Sequence, residues 1–431
     1  MIRSFKNVSV NEYGEVPPNI FGRKLRTVIF SAFFLICAMM CGCTEIVIED
    51  TPPAETVLSS VRSEDMYGTD SADAVSDTAA DTETYHYYDN DDNKNSRYIY
   101  YSLSEKERKF YDELKEAAEN FLPSVTYSEE IDLQTARKIF IAVYNQEPEL
   151  FWLDSIFFAP SESVQPLAYR FAPDEAERMS EELETVTDGI MAGLADASDY
   201  EKIVAFHDYL VLNCTFSETD RYSGTAYGCI CGGYAQCEGY AFAFKYLCSR
   251  AGINCITVTG SDTEGNSHAW NIAMLDGIWY NVDCTWDDPI LDPPDTGFIR
   301  RYYLLVSNSE IIGKSHIINS EYFDYPVCYD SSRNYYSREG FMASDVSDGI
   351  AMLERSAYEA LSAGLFNAEV RFDNSSAYYS ASSQLFNFSD VSGVISRAAS
   401  QCGMNGKINT RKYIRYLNDD LFIIHIKIIS E

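Results

Sequence analysis

The sequence predicts an α+β fold, in which a helix that carries a cysteine packs on an antiparallel sheet that carries a histidine and an aspartate. Residues 237–250 place apolar side chains at helical spacing, and Gly252 ends the run. Three strand-like runs follow without an intervening helix, at residues 254–260, 267–275 and 278–286. With 431 residues and 46% hydrophobic content, the chain is long enough for two or more packed domains.

Cys237 is the first residue of the predicted helix and follows the loop CICGGYAQ. The free backbone N–H groups and the positive end of the helix dipole stabilise a thiolate at such a position. Most cysteines are small buried hydrophobic residues. The position of Cys237 argues against that interpretation and makes it a candidate nucleophile.

The last two strand-like runs predict a hairpin that brings a histidine and an aspartate together. They are separated by an Asp-Gly pair at residues 276–277, which accepts the positive φ angles of a two-residue turn. That turn pairs Leu275 with Ile278 and makes His268 and Asp283 diagonal neighbours on one face, roughly 7 to 8 Å apart at the backbone. A turn of odd length would shift the register and separate them.

These residues suit a Cys-His-Asp triad. His268 would take the thiol proton and later donate a proton to the leaving group, while Asp283 would fix its tautomer. The oxyanion would be held by the Cys237 backbone N–H and a second donor, for which Gln236 and Tyr234 are candidates. We further expect substrate-lining roles for three aromatic residues of this region, Trp270, Trp279 and Trp286.

Three motifs in this order, QCEGYAFAFKYL, HAWN and LDGIWYNVDCTWDDP, resemble the bacterial branch of the transglutaminase-like superfamily, whose core is a papain-like thiol fold. The resemblance covers roughly residues 199–310. It implies that Cys237 is the nucleophile, His268 the base and Asp283 the orienting acid. The superfamily includes protein cross-linking enzymes, peptidases, amidases and inactive forms. In the animal cross-linking enzymes a Trp follows the nucleophile, whereas here Glu238 does.

Residues 1–43 read as an export signal, with basic residues before the apolar run TVIFSAFFLICAMM and then Gly42-Cys43. The segment resembles a bacterial lipoprotein signal, which implies a lipid on Cys43. Ordinary cleavage and an uncleaved anchor are the alternatives. We therefore expect a protein anchored by lipid to the extracytoplasmic face of the membrane, or a secreted one if the signal is cleaved conventionally.

Residues 44–97 are rich in Asp, Ser, Thr and Ala and poor in apolar side chains, which predicts a disordered acidic tether. The net charge of −33 for the whole chain argues against nucleic acid as a partner, because a phosphate backbone would be repelled.

Globular patterning returns at residue 98 and divides into an N-terminal α+β lobe (98–198), a catalytic core (199–330) and a C-terminal α+β domain (331–431). In the lobe, the predicted helices are residues 103–122, 131–146 and 173–194, and the predicted strands are 149–159 and 166–172. In the core, a helix over 199–216 and a strand over 301–307 flank the triad motifs. In the C-terminal domain we expect helices at 345–364 and 390–403, a strand at 366–373 and a hairpin over 412–429. His207 and His425 are interpreted as structural.

Nine cysteines lie beyond the signal, and their spacing gives no disulfide framework. Cys229 and Cys231 could bind zinc, but no second cysteine pair has matching spacing, so we expect no metal and no cofactor.

The sequence thus predicts a thiol enzyme that acts through an acyl-enzyme on amide bonds of proteins or peptides, with cell-wall peptides as one option. Hydrolysis is favoured over transfer to an amine. The alternative is a non-catalytic surface module that keeps the fold and binds a wall polymer or a protein.

Overall fold

The protein is described by a computed structural model. The described residues are 45–47, 97–127, 131–159, 163–288, 298–387 and 390–430. The predicted signal with Cys43, and all of the predicted tether except residues 45–47 and Arg97, lie outside these ranges. No helix of the described residues has both the length and the apolar character needed to cross a membrane.

Helices and strands are numbered here in chain order. The helices are α1 (Tyr98–Ser102), α2 (Glu105–Glu119), α3 (Leu133–Gln146), α4 (Pro173–Ala192), α5 (Asp199–Asn213), α6 (Cys237–Arg250), α7 (Cys284–Asp287), α8 (Asn308–Ile311), α9 (Tyr335–Arg338), α10 (Val346–Ala363), α11 (Ser375–Asn387) and α12 (Asp390–Gln401). The strands are β1 (Glu45–Val47), β2 (Ser124–Thr126), β3 (Val164–Pro166), β4 (Cys255–Asp262), β5 (Ser267–Leu275), β6 (Ile278–Val282), β7 (Leu304–Val306), β8 (His316–Ile318), β9 (Met342–Ala343), β10 (Asn367–Phe372), β11 (Ile408–Asn418) and β12 (Ile423–Ser430).

The long helices of the first part begin where the sequence provides caps. Ser104 and Glu107 form a capping box at the start of α2. The Asp132 side chain accepts the Thr135 N–H at the start of α3, and Pro173 is the first residue of α4. The three helices predicted for this part are confirmed.

The two strands predicted between α3 and α4 are wrong. Residues Pro148–Leu150 form a 3-10 turn, and beyond it the two segments pair in an isolated antiparallel bridge of Leu153 with Tyr169 instead of a continuous ladder. Trp152 stacks on Phe121 with ring centroids 5.4 Å apart. In a short run of apolar residues, the sequence pattern cannot distinguish a strand from an irregular buried segment. The paired strands of this part are the short β2 and β3.

The centre of the molecule is an antiparallel sheet of order β7-β6-β5-β4-β8, and helix α6 packs against β5 and β4. This arrangement confirms the predicted α+β fold, in which the helix with Cys237 packs on the sheet with His268. A single hydrophobic core joins this sheet to the N-terminal helices and runs from Ile99 to Phe341, with two residues added from the C-terminal part.

The predicted hairpin register is confirmed along β5 and β6. Asp276 and Gly277 both have positive φ, at 53° and 77°, and the pairing runs from Leu275 with Ile278 to Asn271 with Val282. The predicted extension of this strand to residue 286 is wrong, because the chain turns into the short helix α7 directly after Asp283. The Asp283 side chain caps that helix.

The C-terminal part forms a second sheet, of order β1-β11-β12-β10-β9, with its own hydrophobic core against α10, α11 and α12. The predicted helices, strand and hairpin are all present. Helix α11 was not predicted, since its sequence SSAYYSASSQLFN is rich in serine, which favours caps and turns over helix interiors. Strand β1 lies parallel to β11 at Tyr413–Arg415, within the segment expected to be a tether.

A buried ion cluster joins the second sheet to the core. The Arg301 guanidinium forms two hydrogen bonds to the Asp208 carboxylate on α5, at 2.9 and 2.7 Å. It forms a third at 3.0 Å to Glu369 on β10, which also accepts the Tyr336 hydroxyl at 2.7 Å. Arg301 and Glu369 are buried and Asp208 is half-buried, so these charges stabilise the fold chiefly as a complete set.

Gly260 lies where β4 and β8 approach each other closely. A Cβ there would overlap the Ile317 carbonyl oxygen and would also meet the Trp270 ring. We therefore expect Gly260→Ala to lower the free energy of unfolding by roughly 1–3 kcal/mol, as other overpacked sites do. Urea unfolding measures this, with Gly393→Ala in α12 as the matched control, which should be neutral or stabilising. Equal effects at the two positions would contradict the close approach of β8.

Candidate active site

Cys237 is the first residue of α6 and its side chain is half-buried. The preceding Gln236 is the extended N-cap residue, and its side chain does not cap the helix. Further upstream a π-helical turn ends at Gly233, which has a φ of 71°. This local structure fixes the chain direction into α6. The thiol therefore lies beside first-turn N–H groups that have no partner within the helix.

His268 lies on β5, and its Nε2 is 2.6 Å from Oδ2 of Asp283. The Cys237 thiol also interacts with this imidazole and helps to raise its pKa. The structure thus brings together the three residues that the sequence selected. Because the Asp283 carboxylate is bonded to Nε2, Nδ1 is the ring nitrogen available for proton exchange with the thiol.

Electrostatics favour a charged His268. Burial alone would lower the pKa of His268, but the Asp283 charge and hydrogen bonds to Asp283 and Cys237 outweigh it and raise the pKa to about 10. Burial alone would raise the pKa of Asp283, but the charge of His268 and hydrogen bonds from His268 and His316 hold it well below its usual range. The site therefore stabilises an imidazolium next to a carboxylate.

Asp283 has four donors. Its Oδ1 accepts the backbone N–H groups of Thr285 and Trp286, at 2.9 and 3.1 Å. Its Oδ2 accepts from His268 and also from Nε2 of His316 on β8, at 2.8 Å. This full set explains how a carboxylate can remain charged at 1% exposure.

Sequence reasoning missed His316. It lies 33 residues after Asp283, in a three-residue edge strand with no motif around it. In the sequence, His316 is a single histidine followed by two isoleucines. That pattern does not indicate which residue of another strand the histidine contacts.

His268, Asp283 and His316 are also the described residues whose ligand atoms, all within 4.8 Å of one another, could hold a metal ion. The two histidine nitrogens lie 2.6 and 2.8 Å from the same carboxylate oxygen. Those are hydrogen-bond lengths, so protons already account for the contacts. This cluster does not include the cysteines that the sequence considered for zinc.

The two predicted oxyanion donors lie in the segment that precedes Cys237. Gln236 directs its side-chain amide to Glu238 at 3.4 Å, and Tyr234 is half-buried in the loop before α6. Glu238, which follows Cys237, lies 3.9 Å from the guanidinium of Arg170. Burial raises the pKa of Glu238, although the positive charge of Arg170 opposes this. The residue after the nucleophile thus belongs to a polar cluster on the flank of α6.

The three tryptophans have different positions. Trp270 is buried and lies nearly parallel to the His268 ring, with centroids 5.9 Å apart. Trp286 is half-buried with its ring 5.7 Å from His268. Trp279 is 1% exposed and packs edge-on against Tyr98, which leaves it no surface to offer a substrate. Trp286 is thus the tryptophan that combines exposure with proximity to His268.

The two histidines interpreted as structural lie in buried networks. Nδ1 of His207 is 3.1 Å from Asp208, and its Nε2 is 3.1 Å from Asp287, which also accepts the backbone N–H groups of Tyr302 and Tyr303. His425 contacts the Tyr302 hydroxyl through Nδ1 at 3.1 Å.

The His207 network predicts a pH-dependent stability. Burial alone would lower the pKa of His207, but Asp208 and Asp287 raise it above its ordinary value. The charged ring therefore stabilises the fold fully below the unfolded pKa, about 6.5, and this contribution is lost as pH rises through the folded pKa. We expect His207→Gln to lower the free energy of unfolding more at about pH 6 than at about pH 10, as measured by urea unfolding. An equal loss at both values would contradict a charged His207.

The nine described cysteines are all free. Burial raises the pKa of several of them, including Cys248, Cys284 and Cys328, and raises that of Cys231 to about 12. Cys237 differs from these residues in its interaction with the His268 imidazole. It is the thiol that the surroundings equip for nucleophilic chemistry.

Comparisons with known proteins agree with this geometry. Residues 184–284 match the family profile of the transglutaminase-like superfamily. This segment is similar to a transglutaminase-like domain. The matched segment contains Cys237, His268 and Asp283, whereas His316 lies after it.

The similarity to individual proteins is local. The kyphoscoliosis peptidases of Mus musculus and Homo sapiens are each 36% identical to this chain over 78 residues, which is 16% of this chain and 12% of theirs. The Lim and transglutaminase domain protein ltd-1 of Caenorhabditis elegans is 24% identical over 136 residues, 29% of this chain and 18% of that protein. A crystal structure of a TGase has 17% identity and a TM-score of 0.24, with 27% of this chain and 33% of that chain covered.

Proposed function

We propose that this protein is a thiol enzyme that cleaves amide bonds of proteins or peptides through an acyl-enzyme on Cys237. The observation that supports this most directly is the chain of contacts from the Cys237 thiol to His268 and on to Asp283, at the N-terminus of a helix. A transglutaminase-like domain that covers these residues agrees with acyl chemistry.

The first half of the reaction forms the acyl-enzyme. His268 takes the thiol proton on Nδ1, and the sulfur attacks the carbonyl carbon of the amide. The tetrahedral intermediate collapses when His268 gives that proton to the nitrogen of the leaving amine. The C–N bond then breaks, the amine departs, and the acyl group stays on Cys237 as a thioester. Asp283 stabilises the imidazolium in both steps without taking the proton itself.

The second half releases the acyl group. His268 takes a proton from water, the resulting hydroxide attacks the thioester, and the thiol leaves with that proton while a carboxylic acid is released. If an amine attacks instead of water, the same steps form a new amide. We favour water, because the thiol and Trp286 both keep part of their surface exposed to solvent.

Charge on the oxyanion would be stabilised by the Cys237 backbone N–H and by a second donor. Gln236 and Tyr234 are the proposed sources, because they lie in the segment that leads into α6. The substrate would pass Trp286 beside His268.

We also propose that the enzyme acts on the extracytoplasmic face of a membrane and is held there by a lipid on Cys43. This rests on the signal-like sequence of residues 1–43. Its protein or peptide substrates, including cell-wall peptides, would be met on that side. The net charge of −33 disfavours nucleic acid as a partner.

A peptide digest tests the proposal. The full chain is incubated with a denatured protein mixture in water enriched in oxygen-18, with and without a small primary amine. Mass spectrometry then distinguishes labelled carboxylates, which indicate hydrolysis, from amine adducts, which indicate transfer. Both products should be absent with Cys237→Ser and unchanged with Cys231→Ser. Products that persist in Cys237→Ser would contradict the proposed nucleophile, and no products in the parent protein would favour a binding module.

A further inference from the structure

His316 occupies an enclosed position next to the proposed triad. Its side chain is fully buried, with Nε2 at 2.8 Å from Oδ2 of Asp283 and Nδ1 at 2.8 Å from the Ser315 hydroxyl. We propose that His316 is a positioning residue, which holds the Asp283 carboxylate in place and limits how tightly that carboxylate retains the His268 proton. The inference rests on the proposed function, because it assigns a role within the same site.

The hydrogen bonds define the tautomer of His316. Asp283 is held in its charged form and can only accept hydrogen bonds, so Nε2 of His316 must be the donor. Burial lowers the pKa of His316, which keeps the ring neutral and leaves Nδ1 as an acceptor for the Ser315 O–H. His316 therefore donates a hydrogen bond to Asp283 without adding a second positive charge.

The fold fixes this ring from several sides. Strand β8 pairs with β4 through His316 opposite Asp262, and the turn before it closes with a 2.8 Å bond from the Gly313 N–H to the His316 carbonyl. The ring centroids of Trp270 and Trp286 lie 4.9 and 4.7 Å from the centroid of the His316 imidazole. The same two tryptophans contact His268. Trp270 and Trp286 therefore pack against both of the imidazole rings that are bonded to Asp283.

The titratable groups that surround His316 and His268 are those whose protonation His316 can affect. Around His316 they are Asp283, His268, Asp262 and Tyr303. Around His268 they are Asp283, Cys237 and His316, and Cys284 lies near Asp283.

A neutral N–H donor on Oδ2 withdraws negative charge from Asp283, and His268 then releases its proton more readily to the leaving amine. Removal of the donor should strengthen the bond between Asp283 and His268 and slow that release.

Histidine NMR tests the assignment directly. The chain has only five histidines, so spectra of the full chain labelled with carbon-13 and nitrogen-15 in the histidine rings are simple. In the parent protein, His316 should be neutral with the proton on Nε2 between about pH 6 and 8. In His316→Phe, which keeps an aromatic ring but removes the donor, the midpoint of the His268 titration should rise by roughly one pH unit. His316→Gln, whose amide can replace the Nε2 donor, should stay near the parent value.

Two results would overturn the inference. One is a His316 that is doubly protonated, or protonated on Nδ1, in the parent protein; this measurement needs no variant to fold. The other is an unshifted His268 titration in His316→Phe. Neither depends on turnover: a Cys237 that does not react in the parent would contradict the proposed function, while the NMR result would still decide the role of His316.

Discussion

Replacement of Cys237 by alanine should abolish amide turnover, with a fall of about 10⁴-fold or more, as loss of a covalent nucleophile does elsewhere. The physical reason is that Cys237 is the described thiol whose interaction raises the pKa of His268. The fall is measured as kcat/KM on the peptides cleaved by the parent protein. The free energy of unfolding should change little, because the Cys237 side chain is half-buried and has little packing to lose.

Cys231 supplies the matched control for this prediction. It is also half-buried and precedes α6 by only a few residues, but burial and the nearby Glu182 raise its pKa to about 12. Cys231→Ala should therefore retain parental kcat/KM. Similar losses in the two variants would indicate a general disturbance of this segment rather than a nucleophile at Cys237.

Replacement of Arg301 by alanine should cause the largest loss of stability, with a fall in the free energy of unfolding of roughly 3–5 kcal/mol. The substitution removes the cation that Asp208 and Glu369 share, and it leaves the Glu369 carboxylate enclosed without that partner. Burial already raises the pKa of Glu369, so this group has little solvent to compensate it. Urea unfolding should show a lower midpoint with an unchanged slope.

The control for Arg301 is an ion pair at the surface. Arg250 and Asp188 lie 2.6 Å apart with exposed side chains, and such pairs contribute about 1 kcal/mol or less. Arg250→Ala should therefore unfold close to the parent midpoint. If Arg301→Ala behaved in the same way, the buried cluster would not join the C-terminal sheet to the core as described.

The part of the site that the sequence predicted depends on local geometry. The Asp-Gly turn at residues 276–277 sets the register of the hairpin, which pairs the strands as far as Asn271 with Val282 and so brings Asp283 towards the end of β5 that carries His268. The position of Cys237 at a helix start likewise follows from the apolar spacing after it. Both inferences need only residues that are close in the chain.

The features that sequence reasoning missed depend on distant contacts. His316 reaches Asp283 because β8 pairs with the outer side of β4, and no local pattern specifies that pairing. Trp279 shares its alternation with site residues, yet it packs against Tyr98 from the N-terminal helix α1. The strand expected at residues 149–159 was wrong for the same reason, since its aromatic side chains pack on separate partners, as Trp152 does on Phe121.

The most direct test of the account is the pH dependence of alkylation at Cys237, read residue by residue by mass spectrometry in the folded full chain. If the thiol and His268 form a thiolate–imidazolium pair, iodoacetamide should modify Cys237 rapidly well below pH ~8.5, the usual pKa of a free thiol. His268→Ala should lose this reactivity, while Cys231 stays slow in both proteins as an internal standard. A Cys237 that reacts only at the pH of an ordinary thiol, with no change in His268→Ala, would contradict the proposed triad.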